Sequence, residues 1–218
     1  MDEINAEMEK FDWLIDEDVA KLLLMEKNRL IERKKIMEAE GNVAIDAKIE
    51  SKGKIYEKNS IAVIGDESGH CVLKLWDENK KILNYLNEGD CVRIANGIAR
   101  RGIYGLEINV GKFGNINKTD KKIETKMEFV EKDGIFCIKG KIEKKFPTNV
   151  FIDENYEKFS RKIIVDGREI YLFDERARDA NKINEGEDII LLWVYKRNGK
   201  IYATSFSKII QKQHSESH

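Results

Sequence analysis

The stretch VLKLWDENKKILNYLNEGDCVRIANG, residues 72–97, places a strand pattern, a helix pattern and a second strand pattern in direct succession. Apolar and polar residues alternate over 72–76 and again over 91–99, which is typical of half-buried strands. Apolar residues in the intervening segment 78–86 recur at helical spacing, and 87–90 has the composition of a helix end followed by a turn. We therefore expect a strand, a short helix and a strand in that order.

The order of this stretch repeats later in the chain. Three landmarks recur 97 residues further on: Trp76-Asp77-Glu78 as Phe173-Asp174-Glu175, the turn 87–90 as 184–187, and Arg101-Gly102 as Asn198-Gly199. Nearer the start, Ile45, Lys48, Ile49 and Glu50 recur as Ile138, Lys141, Ile142 and Glu143, 93 residues further on. The second copy thus carries four extra residues, which fall within 146–160. A shared spacing over several landmarks indicates two copies of one domain, at 41–119 and 128–212.

Each copy contains five strand patterns, with the helix pattern between the third and the fourth. In the first copy the strand patterns lie at 43–49, 61–64, 72–76, 91–99 and 105–110. This order is that of the OB-fold, a five-stranded Greek-key barrel. We predict a mainly β protein with two tandem OB-folds, preceded by a small α-helical N-terminal region. An SH3-like barrel, which lacks the helix, is the structural alternative.

The N-terminal region, residues 1–40, differs from the rest in charge and in period. It holds 12 acidic and 7 basic residues, whereas 41–218 holds 28 acidic and 32 basic. Apolar residues from Ile4 to Ile15 recur every three or four positions, and Asp16-Glu17-Asp18 resembles a cap and an acidic first turn. We expect two helices, the second continuing toward Gly41, that form a small appendage packed on another surface; a long exposed helix is the alternative.

Composition excludes several classes of protein. The net charge of the 218 residues is −1, so the chain cannot coat polyanions by net charge alone. No apolar run approaches the about 20 residues that a membrane helix needs. The three cysteines are widely spaced, which argues against a disulfide framework or a zinc knuckle. Because no glycine-rich phosphate loop, GxSxG or HExxH motif is present, we expect no catalysis, metal or cofactor.

Several strings of the first copy carry a family likeness. These strings are Gly65-Asp66-Glu67-Ser68-Gly69, Leu73-Lys74-Leu75-Trp76-Asp77-Glu78, Glu88-Gly89-Asp90-Cys91-Val92-Arg93-Ile94 and Gly105-Leu106-Glu107-Ile108-Asn109-Val110-Gly111. Taken in order, they resemble the OB-folds of archaeal replication protein A, a family that binds single-stranded DNA during replication, recombination and repair. The second copy departs from this pattern, with Phe173 in place of Trp76 and a different turn at 165–168. Whether the second copy binds DNA or mainly protein stays open.

Candidate binding residues of the first copy combine rings and cations. Trp76 shares a strand face with Lys74, and the resemblance implies a base-stacking aromatic at this position. The alternative is that Trp76 caps the barrel core. Tyr104 follows the turn between the fourth and fifth strands, and Arg100 and Arg101 precede it. Such residues at a loop suit contacts to bases and phosphates, although an ordinary solvated hairpin has the same composition. The remaining candidates are Arg93 on the fourth strand and Lys48 and Lys54 around the first loop.

The second copy offers corresponding residues. Phe173 is the counterpart of Trp76, with Tyr171 on the same strand face. Lys196, Arg197 and Tyr202 surround the Asn198-Gly199 turn. Lys141 lies near the counterpart of the first loop, where lysines contribute salt-dependent affinity for phosphates. Each single lysine is equally well explained as a solvated surface residue, so the clustering is the basis of the prediction. Trp193, in an apolar run, is expected in the core.

We therefore expect a non-catalytic single-stranded DNA-binding protein, cytoplasmic and nucleoid-associated, without a membrane segment. Residues 1–40 are the expected site for self-association, for subunits like those of replication protein A, or for replication and repair proteins. One alternative is a scaffold subunit with weak intrinsic DNA affinity, assembling through an apolar helical face on 1–40 or 200–212. RNA binding is another alternative, because it uses the same stacking physics.

Overall fold

The computed structural model describes residues 3–28, 30, 32–153 and 156–211. The chain divides into two compact units, the first ending at Thr125 and the second starting at Lys126. The predicted C-terminal bound of the second domain, residue 212, lies outside the described residues. Each unit contains one six-stranded sheet, and the protein is mainly β.

The N-terminal region forms two short helices, α1 (Glu3–Glu9) and α2 (Glu17–Lys27). Asp16 is the N-cap of α2, as predicted, and its side chain accepts a hydrogen bond from the Val19 amide at 2.8 Å. Helix α1 ends earlier than its apolar spacing suggests, because Asp12 and Trp13 take positive φ angles that no helix contains. Helix α2 also ends early, at Lys27, and a 3-10 turn at Ile36–Glu38 lies between it and the first strand.

The first unit is a closed barrel. Its strands are β1 (Gly41–Ile55), β2 (Asn59–Asp66), β3 (Gly69–Trp76), β4 (Cys91–Gly102), β5 (Gly105–Val110) and β6 (Asn115–Lys118). The strand order is β1-β2-β3-β5-β4, β4 pairs back onto β1, and β3 and β5 run parallel. This is the OB-fold order, and the prediction of a five-stranded Greek-key barrel is confirmed. Strand β6 adds to β4 and was not predicted.

Local chemistry explains two parts of this barrel. The β2–β3 turn forms where the Asp66 carboxylate accepts hydrogen bonds from the amides of Ser68 at 2.7 Å and Gly69 at 3.2 Å. The segment Asp77–Asn84 between β3 and β4 is a short helix, as predicted, and it is of the 3-10 type. It buries Leu83 in the core, in agreement with the predicted apolar face.

The second unit repeats the barrel. Its strands are β7 (Gly134–Lys145), β8 (Asn149–Asp153), β9 (Tyr156–Val165), β10 (Arg168–Phe173), β11 (Asp188–Arg197) and β12 (Lys200–Gln211). The order β7-β9-β10-β12-β11 closes through the β11–β7 pairing, and β10 and β12 run parallel. A short helix, α3 (Glu175–Asp179), precedes β11. The four extra residues predicted for this copy contribute to β8, which forms a hairpin with β9 at the edge of the sheet.

Two sequence-based expectations concern the second unit. Trp193 is fully buried, as expected, at a positive φ of 61° where the β11 register shifts, and it stacks on Phe206 at 4.8 Å. The apolar helical face considered for 200–212 is wrong over 200–211, because this segment is strand β12. Across the described part of the chain, no helix has the length and hydrophobicity that a membrane crossing requires.

Candidate nucleic-acid interface

OB-folds bind oligonucleotides on the face of their second and third strands and on the loops that follow the first and fourth strands. In the first unit these elements are β2, β3, the β1–β2 loop and the β4–β5 hairpin. In the second unit they are β9, β10, the β7–β9 connection that contains β8, and the β11–β12 hairpin.

Trp76 ends β3 on the outer face of the first barrel. The indole is half-buried and lies outside the buried core, so it does not act as a core cap. Its Nε1 donates a hydrogen bond to Asn109 Oδ1 at 2.9 Å, and the Arg100 guanidinium donates to the same oxygen, also at 2.9 Å. Both neighbours are pure donors, which fixes the orientation of the Asn109 amide. Asn109 therefore holds the edge of the ring and one cation together.

Lys74 joins the same face through an ion pair. Its Nζ lies 2.7 Å from Glu107 Oε2, and Glu107 is almost completely buried. Strand β5 supplies both acceptors, because Glu107 and Asn109 alternate with the core residue Ile108. The structure thus brings Lys74, Trp76 and Arg100 together. Sequence reasoning missed Glu107 and Asn109, although the alternation along β5 was a usable signal.

The β4–β5 hairpin extends this face outward. Arg101 is exposed, Tyr104 is half-buried, and Gly105 takes a positive φ of 95° that completes the turn. Ile103 at the tip is 77% exposed, which is unusual for an isoleucine. The hairpin therefore presents an apolar tip beside a cation.

Three other candidates of the first unit have different surroundings. Arg93 Nε is 3.4 Å from Asp46 Oδ1 and 3.9 Å from Glu26 Oε1 of α2, so its charge is balanced within the barrel and the helix. Lys48 Nζ lies 3.2 Å from Glu50 Oε1. Lys54 is exposed near the end of β1. None of the contacts described for these three residues involves the residues that hold Trp76.

The second unit gathers three predicted rings on one face. Tyr171 and Tyr202 stand opposite each other on the parallel strands β10 and β12, with ring centroids 5.8 Å apart. Phe173 stacks on Tyr202 at 6.3 Å with an interplanar angle of 23°, and Phe173 is largely exposed. We call Tyr171, Phe173 and Tyr202 the ring cluster. Three rings in contact on a solvent-facing sheet form a broad stacking surface.

A fourth ring and two cations adjoin the ring cluster. Phe146 lies beneath two ammonium groups, Lys162 Nζ at 4.4 Å and Lys144 Nζ at 5.0 Å from the ring centroid. Lys162 stands opposite Tyr171 in the β9–β10 register. Sequence reasoning did not select Phe146 or Lys162. The segment 146–160, within which the four extra residues of this copy fall, was the available signal.

Glu169 sets the ionisation of this region. Its carboxylate accepts from Lys162 Nζ at 2.7 Å and from the Tyr171 hydroxyl at 3.0 Å. The bond from Lys162 lowers the pKa of Glu169 and raises that of Lys162. The hydrogen bond to Glu169 raises the pKa of Tyr171. At neutral pH the face therefore holds a charged ammonium beside a neutral tyrosine ring.

A pocket of about 370 Å³ opens between these residues. Its lining consists of Phe146, Pro147, Asn149, Ser160, Arg161, Lys162, Tyr171 and Phe173. Aromatic walls with cations at the rim suit a planar ring carrying a nearby negative charge.

The structure corrects the prediction that Lys196 of the second unit contacts a phosphate. Lys196 is only 8% exposed, and its Nζ donates to the carbonyl oxygens of Val130 at 2.9 Å and Glu131 at 2.8 Å. Because these bonds attach the segment before β7 to the barrel, Lys196 is not placed to contact a phosphate. Arg197, at the end of β11, and Lys141, on β7, are both exposed, as phosphate contacts would have to be. Among the residues described, no group of three or more His, Cys, Asp or Glu side chains is arranged to hold a metal ion.

No family model matches the chain, and no curated protein sequence matches it. Solved structures do. A replication protein A heterotrimer bound to single-stranded DNA matches over 83% of this chain with 13% identity and a TM-score of 0.43, and this chain spans 52% of that one. Pot1pC of Schizosaccharomyces pombe bound to single-stranded DNA matches over 42% of this chain and 89% of its own, with 17% identity and a TM-score of 0.38. A murine DNA-binding protein bound to double-stranded DNA matches over 80% of this chain and 99% of its own, with 11% identity and a TM-score of 0.44. The assignment of the fold rests on the strand orders described above.

Proposed function

We propose that the chain binds single-stranded DNA, with the ring cluster of the second barrel as its principal contact. The observation that carries this proposal is one pocket lined by Phe146, Tyr171 and Phe173, with Tyr202 against the latter two rings. Lys144 and Lys162 lie 4.4–5.0 Å from the Phe146 ring. This arrangement lies on the strands and loops that OB-folds use for oligonucleotides.

The physical basis is sequence-independent. An unpaired base exposes two flat faces, and stacking on a protein ring stabilises the complex by about 1–3 kcal/mol per base. Lysines beside the rings neutralise the phosphates that accompany each base. In a duplex the bases are already stacked and paired, so the ring cluster has no free face to contact. The arrangement therefore favours single strands over duplexes.

The first barrel supplies a second, smaller contact in this proposal. Trp76 offers one stacking ring, and Arg100 and Arg101 offer cations at the same face. Lys74 is paired with the buried Glu107 and Lys162 with the exposed Glu169, both at 2.7 Å. Water screens the exposed pair more strongly, so Lys74 contributes less to phosphate binding than Lys162. A role in replication, recombination and repair, without catalysis, is the context that the likeness to archaeal replication protein A suggests.

Titration of the full chain into fluorescent oligo-dT of about 30 nucleotides tests the proposal, since one OB-fold covers about 4–16 nucleotides. We expect tight binding that weakens with salt and that duplex DNA competes poorly. Better competition by RNA of the same length would replace DNA with RNA as the ligand class. Absence of binding at low salt would contradict the proposal.

One observation favours protein contact as a second function. Trp13 and Leu14, between α1 and α2, are 59% and 60% exposed. Removal of 1–40 would be a poor test, because Ile36 is fully buried in the core of the first barrel. The double variant Trp13→Asp, Leu14→Asp keeps the core intact. If this surface mediates assembly, the variant should reduce a concentration-dependent rise in mass measured by light scattering, and an unchanged rise would contradict that role.

A further inference from the structure

Strand β8 exposes apolar side chains at the edge of the second sheet. Val150, Phe151 and Ile152 are 53%, 57% and 83% exposed, and they follow one another in the sequence. Edge strands with bare apolar side chains are rare in monomeric proteins, because the unpaired backbone groups recruit another strand. This strand therefore has a surface suited to a partner.

The usual protections of an edge are missing from β8. Within the described residues, β8 pairs with β9 alone, in a regular register from Asn149 opposite Ser160 to Asp153 opposite Tyr156. Its sequence, NVFID, contains neither lysine nor proline, which are the residues that commonly block edges. No bulge twists it away from a further strand. Its outer edge is thus a straight template.

We propose that β8 pairs antiparallel with β8 of a second copy of this chain, about a two-fold axis at Phe151. The segment is self-complementary in that register. Val150 then faces Ile152 of the other copy, and Phe151 faces its own counterpart, so the apolar centre pairs with itself. Position 153 falls opposite Asn149 in this register. A contact of this kind is isologous and closes at two subunits.

The pairing has a consequence for ligand binding that rests on the proposed function. Residues opposite each other on neighbouring strands share a face, so the two-fold axis places the same face of both sheets on one side. In the register, Asn149 stands opposite Ser160 and Ser160 opposite Phe173. The two ring clusters would thus face the same side of one continuous sheet. A single strand long enough for both copies should bind cooperatively.

Self-association is tested first without nucleic acid. Light scattering of the full chain should show the mass rising from 25.3 kDa toward twice that value as concentration increases through the micromolar range. Ile152→Lys should abolish the rise, because it places a charge on the paired edge. Ile103→Lys is the matched control, since it makes the same change at another exposed isoleucine. A constant monomer mass, or an equal effect of both variants, would overturn the proposal.

A cross-link tests the register. In a Cys91→Ser background, which removes the half-buried native thiol, Phe151→Cys should form a disulfide-linked dimer under mild oxidation. Directly opposed residues have Cα atoms about 4.5–5.5 Å apart, within the range of a disulfide. Asn149→Cys is the control, because two such residues would lie about 13 Å apart along the strands. Equal cross-linking of both variants, or of neither, would refute this register.

Cooperativity separates this proposal from the proposed function. Wild-type protein should bind an oligo-dT of about 60 nucleotides cooperatively and one of about 12 nucleotides without cooperativity. Ile152→Lys should lose the cooperativity and keep the affinity for the short strand. If the cooperativity of this variant is unchanged, the proposed role of β8 in cooperative binding is wrong, and the proposed function is not affected. If wild-type protein does not bind the short oligo-dT, the proposed function is contradicted. The mass measurement would still show whether β8 pairs with β8 of a second copy.

Discussion

The two barrels share a strand order but present different chemistry on corresponding faces. In the first barrel, one ring, Trp76, is held at its edge by Asn109, and the adjacent Lys74 is neutralised by Glu107. In the second barrel, the ring cluster has centroids about 6 Å apart and adjoins Phe146 beneath two lysines, of which Lys162 is paired with the exposed Glu169. The first face is a polar network around one ring, and the second is a stacking surface.

This difference shows that similarity of sequence and suitability of a face are separate properties. The sequence strings that suggest a family likeness lie in the first copy, yet the broader aromatic surface lies in the second. Strand order is set by the buried residues, whereas ligand chemistry depends on the outward positions, which are free to vary without affecting the core. The comparison therefore predicts unequal roles for the barrels.

The largest expected effect is in the second barrel. The double variant Tyr171→Ala, Phe173→Ala should weaken oligo-dT binding by about 3 kcal/mol, or about 150-fold, because two stacking rings are removed. Fluorescence titration of the full chain measures the loss. Tyr85→Ala removes an exposed ring at the end of the 3-10 helix, outside the strands and loops of both faces, and should bind like wild type. A loss no greater than that of Trp76→Ala would mean that the barrels contribute equally.

The second prediction concerns a buried histidine that distinguishes the first barrel. Burial lowers the pKa of His70 from 6.5 to about 4, although Glu50 and Asp66 act in the opposite direction. The folded protein thus keeps His70 neutral while the unfolded chain takes up a proton below about pH 6.5. Stability is then fully present above pH 6.5 and is lost as the pH falls toward 4.

His70 should accordingly reduce the free energy of unfolding by about 2 kcal/mol between pH 7 and pH 5. Urea titration of wild-type protein and of His70→Gln at both pH values measures this, and the variant should lose about 2 kcal/mol less. Hydrogen exchange should locate the effect in β3 rather than β10, because the described part of the second unit contains no histidine. An equal pH dependence of both proteins would refute the assignment.

The third prediction concerns the contribution of the first barrel to oligo-dT affinity. Trp76→Ala should weaken oligo-dT binding about tenfold, or about 1.4 kcal/mol, because one stacked base loses its ring. Trp76→Phe should recover most of this affinity, since a ring remains although the bond to Asn109 is lost. If Trp76→Phe is as weak as Trp76→Ala, the ring acts by positioning Asn109 and Arg100 rather than by stacking.

The smallest expected effect is electrostatic. Lys162→Gln should flatten the salt dependence of oligo-dT binding by about 0.7 in the log–log slope, the value for one phosphate contact on a single strand. Titrations at several salt concentrations measure the slope. Lys81→Gln, which removes a lysine paired with Glu78 on the 3-10 helix, is the control and should leave the slope unchanged. An unchanged slope for Lys162→Gln would remove this lysine from the interface.

Much of the fold follows from patterns within single segments. Two signals are local, namely the alternation along each strand and the Asp16 cap. The repeat at a spacing of 97 residues extends the assignment from one barrel to the other, and the structure contains the elements that these patterns predict. The type of the helix after β3 and the early ends of α1 and α2 did not follow. Apolar spacing does not distinguish a 3-10 helix from an α-helix over eight residues.

The candidate site was only partly predictable for a related reason. Lys196 has the composition of a phosphate contact, but barrel closure turns its ammonium toward the carbonyls of Val130 and Glu131. Phe146 and Lys162 are 16 residues apart in the sequence and meet only because β7 pairs with β9. No local pattern contains such contacts.

The sequence by itself determined two OB-folds after a helical N-terminal region. The reason is that the alternation of buried and exposed residues can be recognised within each strand. Tertiary structure decided which outward residues meet. The parallel pairings of β3 with β5 and of β10 with β12 bring Asn109 to Trp76 and Tyr202 to Tyr171. These strands are far apart along the chain, and their register is set by barrel closure as a whole. Strand pairing therefore decides which side chains share a face, whereas the local sequence decides where each strand forms.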